Sequence, residues 1–224
     1  MENIRMLMEV AKALGELREK VVFVGGATVS LYATDPAAAE TRPTDDIDCI
    51  TENASRRQFY EMEEILRAKG FVNDQTVICR WNYYGVTIDI MPANPEILGF
   101  SNQWYPAGIQ TAIDINLPDK QQIKILSAPY FIATKFEAFN SRGKREMRWS
   151  SDFEDIIYVL DNRNEIEQEL IVLHGKVKDY IKKEFKTLLA DRAIDEGLSC
   201  ALAYEADTVR IEKIKRMMKK VSES

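Results

Sequence analysis

Two aspartates one residue apart are the first residues in this sequence whose types and spacing suggest chemistry. The residues around Asp46 and Asp48 are apolar, which is typical of a strand. Because side chains alternate between the two faces of a strand, both carboxylates point to one face, with their alpha carbons roughly 7 Å apart. Two like charges repel each other unless a cation lies between them. Mg²⁺ suits such a pair, since it takes one or two carboxylates plus substrate phosphates.

A third aspartate interrupts another apolar run. Asp89 lies in the stretch 86–92, and an ionised carboxylate in such a strand requires a partner or a metal ion. It is the natural third ligand beside Asp46 and Asp48, and three such carboxylates can hold two Mg²⁺ ions about 3.5–4 Å apart. The chemistry that this set serves is in-line phosphoryl or nucleotidyl transfer. The alternative is that Asp89 lies at an exposed strand end or caps a local turn.

Two glycines directly follow a short apolar stretch, 21–24, that has the pattern of a buried strand. Gly25 and Gly26 allow backbone N–H groups to approach a ligand closely at the start of the next helix, where the partial positive charge favours phosphate. The alternative is a plain tight turn.

Periodicity places these residues on secondary structure. The sequence predicts strands over 21–24, 45–51, 76–81, 86–91, 109–115 and 122–126. It predicts helices over 3–18, 27–32, 54–69, 128–142, 150–161, 165–189 with a break at 174–175, 192–203 and 208–221. Strands are thus confined to the first part of the chain, which indicates an α+β protein with a boundary near residue 126.

The composition is that of an ordinary globular protein. The chain has 224 residues, 46% of them hydrophobic and 29% charged, with a net charge of -6. This acidic balance argues against a general nucleic-acid coat protein. The cysteines form no Cys-x-x-Cys pair that would suggest zinc or redox chemistry. No apolar run approaches the ~20 residues that span a bilayer, and the N-terminus lacks a signal-peptide core, so we expect a cytoplasmic protein without membrane contact.

The first half of the sequence resembles a known family. Gly25-Gly26, the run Arg42-x-Thr44-x-Asp46-Ile47-Asp48, and Asp89 in its apolar strand are similar to the nucleotidyltransferase fold of DNA polymerase beta-like enzymes. The branch most similar is that of the AbiEii-type abortive-infection toxins. The resemblance extends from about residue 21 to residue 160.

The second half adds a lysine and a pair of aspartates to the resemblance. Lys135, the basic stretch that begins at Arg142, and the run Asp152-x-x-Asp155 resemble that branch's helical lysine, arginine-rich loop and Asp-x-x-Asp helix. Without the resemblance, Lys135 would be interpreted as a solvated side chain on a helix. In the same way, Asp152 and Asp155 would be a cap and a surface charge, and the basic stretch 142–148 a solvated loop.

The resemblance implies a fold and a set of roles. The fold is α+β, with a nucleotidyltransferase-type mixed β-sheet lobe and flanking helices over residues 1–126, and an α-helical C-terminal lobe over residues 127–224 that closes over the nucleotide. The implied metal ligands are Asp46, Asp48 and Asp89, of which Asp89 also helps to deprotonate the acceptor hydroxyl. Asp152 orients Lys135 or the substrate. The implied nucleotide contacts are Gly25, Gly26, Thr44, Lys135 and Arg142.

The function that we expect is the transfer of a nucleoside monophosphate from an NTP to a hydroxyl, with two Mg²⁺ ions, or Mn²⁺ in their place, as cofactors. The acceptor is an RNA such as tRNA, favoured by the basic stretch 142–148, or a small hydroxylated molecule, favoured by the acidic total charge. An antitoxin protein is a further partner that the resemblance implies. The alternative is a nucleotide-binding regulatory or interaction protein of the same fold without turnover.

Overall fold

A computed structural model describes residues 2–53, 55–142, 146–202 and 208–224 of the chain. Its strands are β1 Val21–Val24, β2 Asp46–Thr51, β3 Val72–Asn73, β4 Arg80–Tyr83, β5 Val86–Pro92, β6 Ile113–Asn116 and β7 Gln122–Ile125. Its α-helices are α1 Glu2–Leu14, α2 Arg56–Ala68, α3 Pro95–Leu98, α4 Tyr105–Gln110, α5 Ala128–Ser141, α6 Ser151–Asn162, α7 Ile166–Val172, α8 Lys176–Leu189, α9 Ile194–Ala201 and α10 Thr208–Glu223. None of the helices in these ranges combines the length and the apolar character needed to cross a bilayer.

The chain forms two compact units. The first, here called the sheet unit, comprises Met1–Leu31 and Arg42–Ser127, and the second, the helical unit, comprises Tyr32–Thr41 and Ala128–Ser224. The short segment 32–41 therefore belongs to the helical unit, although it precedes most of the sheet in sequence.

The sheet unit is built around a seven-stranded mixed sheet in the order β3-β4-β5-β2-β1-β7-β6. Two neighbouring pairs are parallel, β2 with β5 and β1 with β7, whereas β1 and β2 at the centre of the sheet are antiparallel. Strand β1, next to the central strand β2, is buried along its whole length, as expected for an apolar run covered on both faces. The mixed sheet with flanking helices confirms the predicted α+β, nucleotidyltransferase-type fold.

Local side-chain chemistry explains where the strands differ from the prediction. The strand predicted over 76–81 begins only at Arg80, because the Asp74 carboxylate accepts hydrogen bonds from the backbone N–H groups of Thr76 and Val77, at 2.7 and 2.9 Å, and holds that segment in a turn. The strand predicted over 109–115 begins at Ile113, since α4, with a proline in its first turn, extends to Gln110. Strand β3, only two residues long, was not predicted.

Helix α5 contributes three phenylalanines to the core of the helical unit. Phe131, Phe136 and Phe139 on this helix are almost fully buried, and α5 packs against α6, α7 and α8. The break predicted at 174–175 lies between α7 and α8. The segment 32–41 joins this unit through hydrogen bonds that have no local sequence signal, such as Tyr158 Oη to the Ala39 carbonyl at 2.9 Å.

Candidate active site

The structure brings Asp46, Asp48 and Asp89, here called the acidic triad, together on one face of the sheet. Strands β2 and β5 are parallel, with Asp48 directly opposite Asp89 in the register, and Asp46 precedes Asp48 by two residues, so all three side chains share a face. One oxygen from each carboxylate lies within 4.8 Å of the others. Ile47 and Cys49, which alternate with Asp46 and Asp48, are fully buried on the other face.

The donor set of the acidic triad fits a hard divalent cation. It offers only carboxylate oxygens, the ligand type that Mg²⁺ and Mn²⁺ accept in preference to nitrogen or sulfur. Asp89 is buried and lies between the fully buried Ile88 and Ile90, which excludes an exposed strand end. Three carboxylates at this spacing repel one another in the absence of positive charge. The site is therefore one in which cations are stabilised.

The glycine turn makes room for the acidic triad. Gly25 has φ +74°, and a Cβ built there would lie 2.1 Å from Oδ2 of Asp48, so any side chain at this position would collide with the carboxylate. The turn is closed by Thr28, whose backbone N–H and hydroxyl both donate to the Gly25 carbonyl, at 3.3 and 2.9 Å. At Gly26 a Cβ would lie 3.1 Å from Nη2 of Arg42, the far end of a flexible side chain. Gly25 is thus the glycine that the site requires.

Replacing Gly25 with alanine is expected to displace the Asp48 carboxylate and to lower Mn²⁺ affinity at least tenfold, because the added methyl group occupies the position of a ligand oxygen. Gly85→Ala is the matched control, since Gly85 has φ +90° but nothing within 4 Å of its added Cβ. Both variants suffer the backbone strain of an L residue at positive φ, whereas only Gly25→Ala meets the carboxylate. Mn²⁺ titration of the two proteins measures the difference. Equal affinities would contradict the steric argument.

A polar relay from the first helix holds the segment that precedes β2. Asn3 donates to the Arg42 carbonyl at 2.9 Å, and its side-chain oxygen accepts from the Thr44 backbone N–H at 3.1 Å. The Thr44 hydroxyl donates in turn to Oδ1 of Asp46, at 3.3 Å. Thr44, predicted as a nucleotide contact, therefore also orients one carboxylate of the triad. Asn3 was not predicted, because it is a single buried polar residue on an otherwise ordinary amphipathic helix.

Sequence reasoning also missed Arg80, which lies against the acidic triad. Its Nε and Nη2 donate to the two carboxylate oxygens of Asp89, both at 2.8 Å, and Nη2 lies 3.5 Å from Oδ2 of Asp46. The signal that could have identified Arg80 is the register of the hairpin between β4 and β5. A two-residue turn at Tyr84 and Gly85 pairs Arg80 with Asp89 across β4 and β5.

In the helical unit, Lys135 lies between two carboxylates. Its Nζ is 3.1 Å from Oδ1 of Asp152 and 2.6 Å from Oδ2 of Asp155, and it lies 5.8 Å from the ring centroid of Phe131. The side chains of Lys135, Asp152 and Asp155 are 10%, 5% and 3% exposed. Burial therefore excludes the interpretation of Lys135 as a solvated side chain and of Asp155 as a surface charge. The N-cap of α6 is Ser150, so Asp152 is not the cap.

The net effect of these surroundings is to raise the pKa of Lys135. Burial by itself lowers the pKa, but the nearby carboxylates of Asp155 and Asp152 raise it through charge and hydrogen bonds, and the upward contributions together are larger. Lys135 is thus held as an ammonium ion, with a charge-assisted contact to each carboxylate, of which the one to Asp155 is the shorter.

The basic stretch is only partly described. Arg142, 76% exposed, places Nη1 3.7 Å from Oδ2 of Asp152. It therefore lies beside Lys135, Asp152 and Asp155, here called the Lys135 cluster. Arg148 forms ion pairs with Glu146 and Glu196, and Trp149 is 85% exposed. Residues 143–145, which include two more basic residues of the predicted loop, lie outside the described ranges.

One of two comparisons with known proteins identifies a family for the chain. A comparison with curated protein sequences gives no match. The family model described as "Nucleotidyl transferase AbiEii toxin, Type IV TA system" matches residues 7–224, which is nearly the whole chain and includes the glycine turn, the acidic triad and the Lys135 cluster. The chain therefore belongs to the AbiEii family of nucleotidyl transferase toxins of type IV toxin–antitoxin systems.

Proposed function

We propose that the protein is a metal-dependent nucleotidyltransferase that moves a nucleoside monophosphate from an NTP to an acceptor hydroxyl. The observation that carries this proposal is the convergence of three carboxylates, from β2 and β5, beside a glycine turn that leaves space at Asp48. Family membership supports the reaction class. The cofactors of this proposal are two Mg²⁺ ions, for which Mn²⁺ can substitute, and a cytoplasmic location gives access to NTPs.

The chain's own residues divide the work of the reaction between binding and proton transfer. The acceptor oxygen forms a bond to the α-phosphorus of the NTP as the bond from that phosphorus to the bridging oxygen breaks, and pyrophosphate leaves with the bonding electrons. Divalent ions, when bound to the acidic triad, neutralise the charge that develops on the phosphate oxygens. Asp46 and Asp48 would hold the ions, and Asp89 would accept the proton of the acceptor hydroxyl.

The remaining site residues are proposed to hold the nucleotide. Gly25 and Gly26 offer backbone N–H groups to the phosphates, and Thr44 adds a hydroxyl beside them. Lys135 and Arg142, in the helical unit, supply positive charge for the triphosphate, with Asp152 orienting the lysine.

The acceptor that we favour is an RNA, for which the exposed Trp149 offers a stacking surface next to basic residues. A small hydroxylated acceptor is the alternative. An antitoxin protein is the macromolecular partner that the family implies.

Transfer of label from α-³²P NTPs tests the proposal. Each NTP is first titrated calorimetrically with Mg²⁺ present, and the NTPs that bind are incubated with total tRNA or with a panel of small hydroxylated molecules. We expect divalent-ion-dependent labelling of tRNA by the wild-type protein. Labelling of small molecules alone would assign the other acceptor class. NTP binding without transfer to either would contradict turnover and identify a nucleotide-binding protein.

A further inference from the structure

A resident arginine occupies the acidic triad. The two Arg80–Asp89 hydrogen bonds, each 2.8 Å long, involve two different guanidinium nitrogens and both carboxylate oxygens. This is the bidentate fork geometry in which arginine binds carboxylates most strongly. Both carboxylate oxygens of Asp89 therefore accept a hydrogen bond from the charged guanidinium.

The sheet topology, rather than chance surface proximity, sets this contact. Arg80 on β4 is directly opposite Asp89 on β5, and β5 lies between β4 and β2. The guanidinium therefore extends over Asp89 toward Asp46, which it approaches to 3.5 Å. The side chain of Arg80 is 35% exposed and that of Asp89 is 13% exposed, so solvent reaches the arginine more easily than its partner. The guanidinium can thus leave the carboxylate on its solvent-exposed side.

The charge of Arg80 acts against the binding of divalent ions. It cancels one of the three negative charges of the triad and occupies the two oxygens with which Asp89 would ligate a metal. Asp46 is contacted only by the longer interaction, at 3.5 Å, against 2.8 Å for Asp89. The arginine thus engages Asp89 more strongly than it engages Asp46.

We propose that Arg80 is a resident cation that competes with a divalent ion for Asp89. This inference rests on the proposed function, since it assumes that the triad is the metal site. Asp89 becomes a metal ligand, or a base for the acceptor hydroxyl, only after the guanidinium has released it. Arg80 is a positioning residue: it acts on the reaction by setting when Asp89 is available.

Titration with Mn²⁺ alone, without nucleotide, tests the proposal by a readout other than turnover. Arg80→Gln should bind Mn²⁺ about tenfold more tightly than the wild type, because the variant frees a carboxylate and removes a positive charge from its immediate surroundings. Mn²⁺ should also raise the thermal midpoint of Arg80→Gln by more than that of the wild type, since tighter binding to the folded state stabilises it more. An Mn²⁺ affinity within threefold of the wild type, or a weaker one, would overturn the proposal.

Three further variants isolate the cause. Arg57→Gln removes the same charge from an exposed position on α2, and its affinity should stay within twofold of the wild type. In an Asp89→Asn background, the gain from Arg80→Gln should shrink at least threefold, and a full gain there would contradict competition for Asp89. Should Arg80→Gln not fold, Arg80→Lys serves instead. A lysine cannot form the two-nitrogen fork, so Mn²⁺ affinity should rise at least threefold, and no rise would overturn the proposal.

Asp48→Asn separates this inference from the proposed function. If wild-type Mn²⁺ binding is lost in Asp48→Asn but Arg80→Gln gives no gain, only the competition by Arg80 is wrong. If Asp48→Asn binds Mn²⁺ as well as the wild type does, the triad is not the metal site, and the proposed function fails together with the inference.

Discussion

Replacing Asp48 with asparagine is expected to reduce nucleotidyl transfer by more than about 100-fold, with the fold unchanged. Loss of a residue that merely supports a metal ligand typically costs 10–100-fold, so loss of a ligand should cost more. Asp48 is directly opposite Asp89 in the register and touches the space that Gly25 leaves. The asparagine has the same shape but lacks the negative charge that a divalent ion requires. Initial rates of label transfer from α-³²P NTP measure the effect.

The matched control for this variant is Asp114→Asn. Asp114 lies on β6 of the same sheet, is exposed, and is opposite Lys124. Its replacement makes the same change from carboxylate to amide, but at a position outside the triad. Its transfer rate should remain within twofold of the wild type. Circular dichroism and the thermal midpoint of Asp48→Asn should show a folded protein. A folded Asp48→Asn protein with undiminished transfer would remove the triad from the mechanism.

Replacing Lys135 with alanine is expected to destabilise the helical unit by about 3–5 kcal/mol, the cost of leaving a buried charge without its partner. The variant leaves the carboxylates of Asp152 and Asp155 close together and buried, without the ammonium group that contacts both. Adding Asp155→Asn to Lys135→Ala should recover part of the loss, because it removes one of the two uncompensated charges. Urea unfolding followed by far-ultraviolet circular dichroism measures these free energies.

Lys183→Ala, on the exposed face of α8 in the same unit, is the control and should change the stability by no more than about 0.5 kcal/mol.

The upward shift of the Lys135 pKa sets the sign of the pH dependence of this stability difference. Its contribution is complete below the unfolded-state pKa of about 10.4 and is lost as pH rises through the still higher folded-state pKa. The difference between wild type and Lys135→Ala should thus be the same at pH 7 and pH 9. A difference below 1 kcal/mol at both would show that the cluster does not hold the helices together.

The carboxylates of the triad were predictable because each side chain of a strand points to one of only two faces of the sheet. Alternation around Asp46 and Asp48 fixes their shared face, and Asp89 in an apolar run indicates a buried, partnered charge. Their convergence depends in addition on β2 and β5 being parallel neighbours. Periodicity within a strand cannot predict which strands are neighbours. The resemblance to the nucleotidyltransferase fold supplied that step.

The parts that escaped prediction depend on register or on distant partners. Arg80 faces Asp89 only when the hairpin turn is two residues long, whereas the predicted strands, 76–81 and 86–91, leave four residues between them. The approach of Lys135 to Asp155 depends on how α5 packs against α6. The segment 32–41 joins the helical unit through contacts with residues more than a hundred positions away, such as the hydrogen bond from the Thr34 hydroxyl to Glu165.

The position of the transferred phosphorus tests the central claim most directly. In parallel reactions, the wild-type protein is given NTP labelled with ³²P at the α or at the γ position, with Mg²⁺ and the acceptor that the labelling assay identifies. The account predicts that the acceptor gains α label and no γ label, that pyrophosphate is released in equal amount, and that Asp48→Asn abolishes both. Transfer of γ label to the acceptor, or release of inorganic phosphate without labelling of any acceptor, would contradict nucleotidyl transfer by the acidic triad.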